Sequence, residues 1–189
     1  MSASEHTPAS TPPSRPSDEA DRRQLAMAKE EGDAYQRSLR YMIDEVADVG
    51  GHQRAGDYVV GFAQERAEGM WHLHHGRLEW HEPAGDENCH LEVAVTDATD
   101  GRFVPYLDVQ ATLVAKDGTE IGPFEVPFVW HPGLYHYGRN IAVPGDGAYT
   151  LKVRIAPPTF HRHDEVNGKR YAEEVRVEFP DVRIMTGRE

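Results

Sequence analysis

From about residue 55 onward the apolar residues recur with a period of two, and no helical stripe interrupts them. Tyr58, Val60 and Phe62 alternate with smaller or polar residues. So do Leu91, Val93 and Val95; Val109, Ala111 and Leu113; Leu151, Val153 and Ile155; and Val175, Val177 and Phe179. A period of two puts alternate side chains on one face of a strand. Turn signals separate the runs: Asp100-Gly101, Asp117-Gly118, Pro144-Gly145-Asp146-Gly147 and Asn167-Gly168. Roughly seven or eight short strands with no helices between them predict a mainly β domain, an immunoglobulin-like antiparallel β-sandwich, over residues 55–186. The Cys-Trp-Cys core of antibody domains is absent, because Cys89 is the single cysteine.

The segment before the alternation has a different pattern. Residues 1 to about 17 are Ser, Thr, Pro, Ala and charged residues, and bury too little apolar surface to offset ordering entropy, which predicts a disordered tail. They dilute the hydrophobic fraction to 39%. Residues 18–50 read as a helical extension, with Tyr35, Leu39, Met42 and Val46 forming one stripe. Gly32 weakens its middle and Gly50-Gly51 ends it. The stripe requires a partner surface, on the sandwich or on a second copy.

Charge and composition exclude several classes. The net charge is -12, and the 20 Lys and Arg residues are scattered rather than grouped into a basic stripe, which argues against a nucleic-acid partner. No apolar run reaches the roughly 20 residues of a membrane helix, so no membrane insertion is expected. The polar start, Met-Ser-Ala-Ser-Glu-His, lacks the apolar stretch of a secretory signal, and as written the chain reads as cytoplasmic. A single cysteine excludes a disulfide within the chain. No nucleophile elbow, phosphate-binding loop, dinucleotide fingerprint or His-Glu-x-x-His helix is present.

What the chain has is histidine: 11 residues, about twice ordinary usage. His90 and Glu92 alternate with Leu91, Val93 and Val95, so they share the strand face turned away from the core. An imidazole and a carboxylate so placed supply two ligands to one ion, or a ligand and the group that orients it. The bland alternative is a solvated strand face. Cys89 falls on the core side, as a small hydrophobe. His136 sits between tyrosines in Tyr135-His136-Tyr137-Gly138, after Trp130-His131-Pro132-Gly133-Leu134; it is a rigidly held ligand or a structural loop histidine. His161 and His163 form a second pair two residues apart, after Pro157-Pro158, with Asp164 or Glu165 available to orient a ring. Trp71-His72-Leu73-His74-His75, running towards His81, reads as an exposed connection between strands with at most adventitious metal affinity.

The ordered series His90-Leu91-Glu92, Phe103-Val104-Pro105-Tyr106-Leu107-Asp108-Val109, His136-Tyr137-Gly138, Gly147-Ala148-Tyr149-Thr150-Leu151, Pro157-Pro158 and Phe160-His161-Arg162-His163 resembles the periplasmic high-affinity iron-transport (p-nineteen-like) family, over about residues 56 to 184. The resemblance implies an immunoglobulin-like sandwich, commonly dimeric, that binds copper and serves iron uptake beside an iron permease. It implies that His90, His136 and His163 are copper or iron ligands and that Glu92 helps define the same or an adjacent position. The family's Met-Pro-Met segment reads Val126-Pro127-Phe128-Val129-Trp130-His131 here, without methionine. His131 and Met70 are the candidates to replace the thioether, and His161 stands where the family has Gly. Without the thioether the site suits Cu(II), Zn(II) or Fe better than Cu(I). The family setting implies a periplasmic location.

The expected function is therefore transition-metal binding, of copper or iron with zinc as an alternative, in an iron-uptake accessory protein. The competing readings are a metal-dependent oxidoreductase acting on ferrous iron, and a protein-interaction module whose histidines are incidental. The expected partners are the metal ion, a second copy of the chain, and an iron permease or another protein.

Overall fold

A computed structural model describes residues 9–188. Helix α1 (Arg22–Tyr41) comes first, opened by a capping box in which Asp21 accepts from the Gln24 N–H and the Gln24 side chain accepts from the Asp21 N–H. It continues into a wider π turn over Met42–Val46. Among the described residues eleven strands follow: β1 (Val49–Ala55), β2 (Tyr58–Glu65), β3 (Met70–His74), β4 (Arg77–His81), β5 (Cys89–Asp97), β6 (Val109–Ala115), β7 (Glu120–Glu125), β8 (Phe128–Val129), β9 (His136–Ile141), β10 (Gly147–Ile155) and β11 (Val175–Ile184). They build a five-stranded sheet, β1-β2-β5-β9-β8, a four-stranded sheet, β11-β10-β6-β7, and a separate hairpin, β3-β4. Every pairing between named strands is antiparallel.

The period-two residues fill the space between the two sheets. Val60, Leu91, Val93, Val95, Val109, Leu113, Leu151 and Ile155 are fully buried there, joined by Phe62, Ala111, Val153, Val175, Val177 and Phe179. The mainly β, antiparallel fold expected from the alternation is thus what forms. The first strand begins at Val49, inside the segment read as a helical extension over 18–50.

The outer face of β5 departs from a simple sandwich, because all nine of its residues are buried. Helix α1 covers one half of that face. Leu39 and Met42 pack with Ala94 and Leu134, and Gln36 donates to Thr96 Oγ1 and Gly101 O, both at 3.1 Å. The helix stripe thus docks in cis. Val46 of that stripe is half exposed, since the π turn swings it off the sheet. Gly32, which weakens the helix locally, permits its closest approach: a Cβ there would lie 1.9 Å from Asp100 O.

The expected tail over 1–17 divides. Residues 1–8 lie outside the described residues. From Thr11 to Ser17 the chain is an extended strap. Thr11 bonds to Asp57, Arg15 exchanges bonds with Asn167 at 2.9 and 3.0 Å, and Ser17 donates to Asp164 at 2.9 Å. Polar side chains of the turn between β1 and β2 and of the loop between β10 and β11 supply the order that apolar burial does not.

Candidate metal centre

Strand parity puts His90 and Glu92 side by side on the outer face of β5, and antiparallel pairing brings β9 beside them. His90 pairs with Asn140 and Glu92 with Gly138. His136, Gly138 and Asn140 share one face of β9, so the two strands present a single polar patch. The half of the β5 face that α1 leaves open is closed at this end by the segment carrying Glu68 and by the turn leading to His136. His90, Glu92 and His136 are therefore buried, not solvated.

One ligand atom from each of these residues lies within 4.8 Å of the other two. His136 Nε2 is 3.1 Å and His90 Nε2 3.7 Å from Glu92 Oε1. Glu68, half exposed at the solvent side, brings Oε1 to 3.5 Å from His90 Nε2. Gly138 keeps the space open: a Cβ there would stand 3.0 Å from His90 Nε2 and 3.2 Å from His136 Nε2.

The hydrogen bonds fix which atom of His90 faces this space. The Asn140 amide is oriented by the Glu68 backbone, with Nδ2 donating to Glu68 O at 2.7 Å and Oδ1 accepting from Glu68 N at 3.3 Å. Asn140 Oδ1 is then an acceptor towards His90 Nδ1 at 2.9 Å, so Nδ1 carries the proton and Nε2 presents a lone pair. His90 Nε2 and both nitrogens of His136 are buried without a well-formed hydrogen bond. Buried polar atoms left without partners are costly, and an ion taking up the free lone pairs reduces that cost.

Protonation at the site is inverted from that of solvated groups. Burial lowers His90 to about 4, and burial with the neighbouring His90 and His131 rings lowers His136 to about 4. Burial, then the charges of Glu65 and Glu68, raise Glu92 to about 8. At neutral pH the close contacts between Glu92 and the imidazoles are thus between neutral groups, with the carboxyl proton available for His136 Nε2. Two neutral imidazoles and an acidic surround form a donor set for a borderline divalent cation, which displaces the Glu92 proton on binding. Burial pushes the Cys89 thiol up to about 12, so no thiolate competes.

The other expected ligands stand elsewhere. His131 is at the rim, its ring centroid 5.9 Å from that of His136, and its Nδ1 accepts from the Gly133 N–H at 3.0 Å. That bond leaves the proton on Nε2, so His131 offers the site no lone pair as placed. His161 and His163 are exposed and do not join His90 and His136 within one chain, where the expected third imidazole is therefore not supplied. Their loop is pinned by Arg162, which donates to the carbonyls of Arg170, Phe160, Pro158 and Tyr171. Arg170 and Tyr171 bond in turn to Asp97, at the far end of β5. By strand rise, that end is about 23 Å from His90. His163 pairs instead with Glu19 at 3.0 Å. Sequence reasoning missed Glu68 and Asn140. Asn140 was within reach of the period-two rule, as the third member of the His136 face, whereas nothing local marks Glu68.

Comparison with known proteins bears on the fold and the family. A solved structure of FetP from uropathogenic Escherichia coli strain F11, recombinantly expressed in the periplasm of Escherichia coli, matches with a TM-score of 0.59 at 23% identity, covering 72% of this chain and 94% of that one. The copper-reconstituted P19 protein from Campylobacter jejuni matches with a TM-score of 0.59 at 20% identity, covering 74% and 96%. These likenesses show the fold. A curated relative, UPF0423 protein BAB2_0840 of Brucella abortus, is 37% identical over 90 residues, 43% of this chain. The match spans about half the length of that relative, 48%. Residues 47–184 match the family model described as Fe2+ transport protein, and this chain belongs to that family.

Proposed function

We propose that this protein binds a transition-metal ion, copper or iron, between His90, Glu92 and His136, and acts as an accessory protein of iron uptake. The observation that carries the reading is the buried convergence of two imidazoles and a carboxylate around the gap that Gly138 leaves. The copper-bound FetP variant and P19 support copper as one occupant, and the family supports iron as the cargo. Zinc suits the same nitrogen and oxygen donors. Among the described residues no helix is long and apolar enough to cross a membrane. Delivery to an iron permease or another protein partner, in a periplasmic setting, completes the reading.

The test is a titration of untagged, metal-free protein with Cu(II), Zn(II) and anaerobic Fe(II), followed by calorimetry and melting temperature. Binding to the folded state alone raises the melting temperature. The rise is expected in the wild type and is reduced in His90→Ala and His136→Ala. An unchanged melting curve at saturating metal, or a rise in both variants as large as in the wild type, refutes the reading. A homodimer belongs to the same proposal. His163 is remote within its own chain, so a changed affinity in His163→Ala together with a dimer in sedimentation assigns it to the site of a second copy. A monomer with unchanged affinity removes His163 from the ligand set.

A further inference from the structure

The segment from Met70 to His81, which the buried centre does not use, is a hairpin of its own. His75 and Gly76 both take positive φ, 48° and 80°, as a two-residue type I′ turn requires. The turn fixes the register: Met70 pairs with His81, Trp71 with Trp80, His72 with Glu79, Leu73 with Leu78 and His74 with Arg77. Parity then sorts the side chains into two faces of opposite chemistry. Trp71, Leu73, Leu78 and Trp80 share one face, where the indoles meet edge-on with centroids 5.5 Å apart. The other face carries Met70, His72, His74, Arg77, Glu79 and His81. On it the imidazole centroids are separated by 4.8 Å for His72–His81, 5.2 Å for His74–His81 and 6.1 Å for His72–His74.

We propose that His72, His74 and His81 form a second transition-metal site, independent of the buried centre, for a borderline divalent ion such as Cu(II), Zn(II) or Ni(II). A single histidine on a strand is ordinarily a solvated polar residue. Three whose ring centroids lie within 6.1 Å, drawn from both strands of a register-locked hairpin, hold the spacing of a chelate before any metal arrives. All three side chains are exposed, so rotation about their own torsions brings the nitrogens to the ~2.0–2.1 Å coordination distance without moving backbone. Glu79 lies 3.9 Å from His81 Nε2 and offsets the charge of Arg77 on the same face. The site is also well placed to capture ions for the buried centre. The hairpin lines a cleft of about 1180 Å³ whose other wall includes Trp130, His131 and His136. Metal held on the hairpin thus borders the same cleft as His136. A two-stranded hairpin is marginally stable alone, and an ion bridging β3 to β4 would staple it.

The experiment titrates untagged, metal-free full-length protein with Zn(II) by calorimetry, and with Cu(II) by fluorescence in a Trp130→Phe background, where Trp71 and Trp80 are the remaining indoles. The wild type is expected to take two equivalents, with Cu(II) quenching the hairpin indoles. The triple variant His72→Gln/His74→Gln/His81→Gln, whose changes are all solvent-exposed, should keep its fold, lose one equivalent and lose the quenching. The double variant His90→Ala/His136→Ala should keep the hairpin equivalent and its quenching, which separates failure of the buried centre from failure of this site. Undiminished stoichiometry and quenching in the triple variant overturn the proposal. Hairpin binding that saturates only at millimolar metal overturns it as well, because single surface histidines achieve that.

Discussion

Changing Glu92 to Gln should remove one limb of the metal-free protein's stability profile. Glu92 rises from 4.5 in a solvated chain to about 8 in the fold, and His90 and His136 fall from 6.5 to about 4. For Glu92, whose folded value lies above its unfolded one, the contribution is fully present below about 4.5 and is lost as pH rises through about 8. For the imidazoles, whose folded values lie below, the contribution is present above about 6.5 and is lost as pH falls through about 4. Between about 4.5 and 6.5 the unfolded chain holds two protons on these groups and the folded chain one, so stability rises with pH. Between about 6.5 and 8 the unfolded chain holds none and the folded chain still one, so stability falls with pH. The three groups together place a maximum near pH 6.5. A one-proton difference is worth ~1.4 kcal/mol per pH unit, so the descending limb amounts to about 2 kcal/mol. Glu92→Gln has no proton to lose and should stay level from pH 6.5 to 9. Urea unfolding of chelator-treated protein at pH 5, 6.5, 8 and 9 measures this, and the difference between wild type and variant cancels other titrating groups. An equal fall in both proteins above pH 6.5 would refute the assignment of a buried, protonated Glu92.

Metal binding at pH 7 should release about one proton, from Glu92, and Glu92→Gln should release none; calorimetry in buffers of different ionisation enthalpy reads this directly. Gly138→Ala sets a methyl group 3.0 Å from His90 Nε2 and 3.2 Å from His136 Nε2, so it should abolish metal binding at the buried centre and cost about 1–2 kcal/mol in unfolding free energy. Asn140→Ala frees the His90 ring to turn and to change tautomer, and should weaken metal binding by about 10–100-fold with the fold intact by circular dichroism. Arg170→Ala leaves the buried Asp97 carboxylate without its cation at 3.2 Å and should cost about 3 kcal/mol in urea unfolding, with no change in metal stoichiometry.

Alternation by itself determined the core of this protein. Leu91, Val93 and Val95 had to face inward once they lay on a strand, and the same parity forced His90 and Glu92 to the opposite face; His136, read from sequence as a loop residue, shares a face with Gly138 and Asn140 only because the structure makes His136–Ile141 a strand. Parity decides the direction of a side chain but not what lies over it. Whether the outer face of β5 met water or protein depended on α1, on the segment at Glu68 and on the turn before His136, all remote in sequence from β5. Burial from those contacts turns an exposed His–Glu pair into a site with neutral imidazoles and a protonated carboxyl. The same limit explains His163. Its spacing from His161 is as suggestive as that of His90 from Glu92, yet its loop is tied to Asp97, at the opposite end of the strand. Local spacing places two ligands side by side; only the packing of distant segments decides which pairs meet, because convergence on one ion is a property of the tertiary contacts and not of the period.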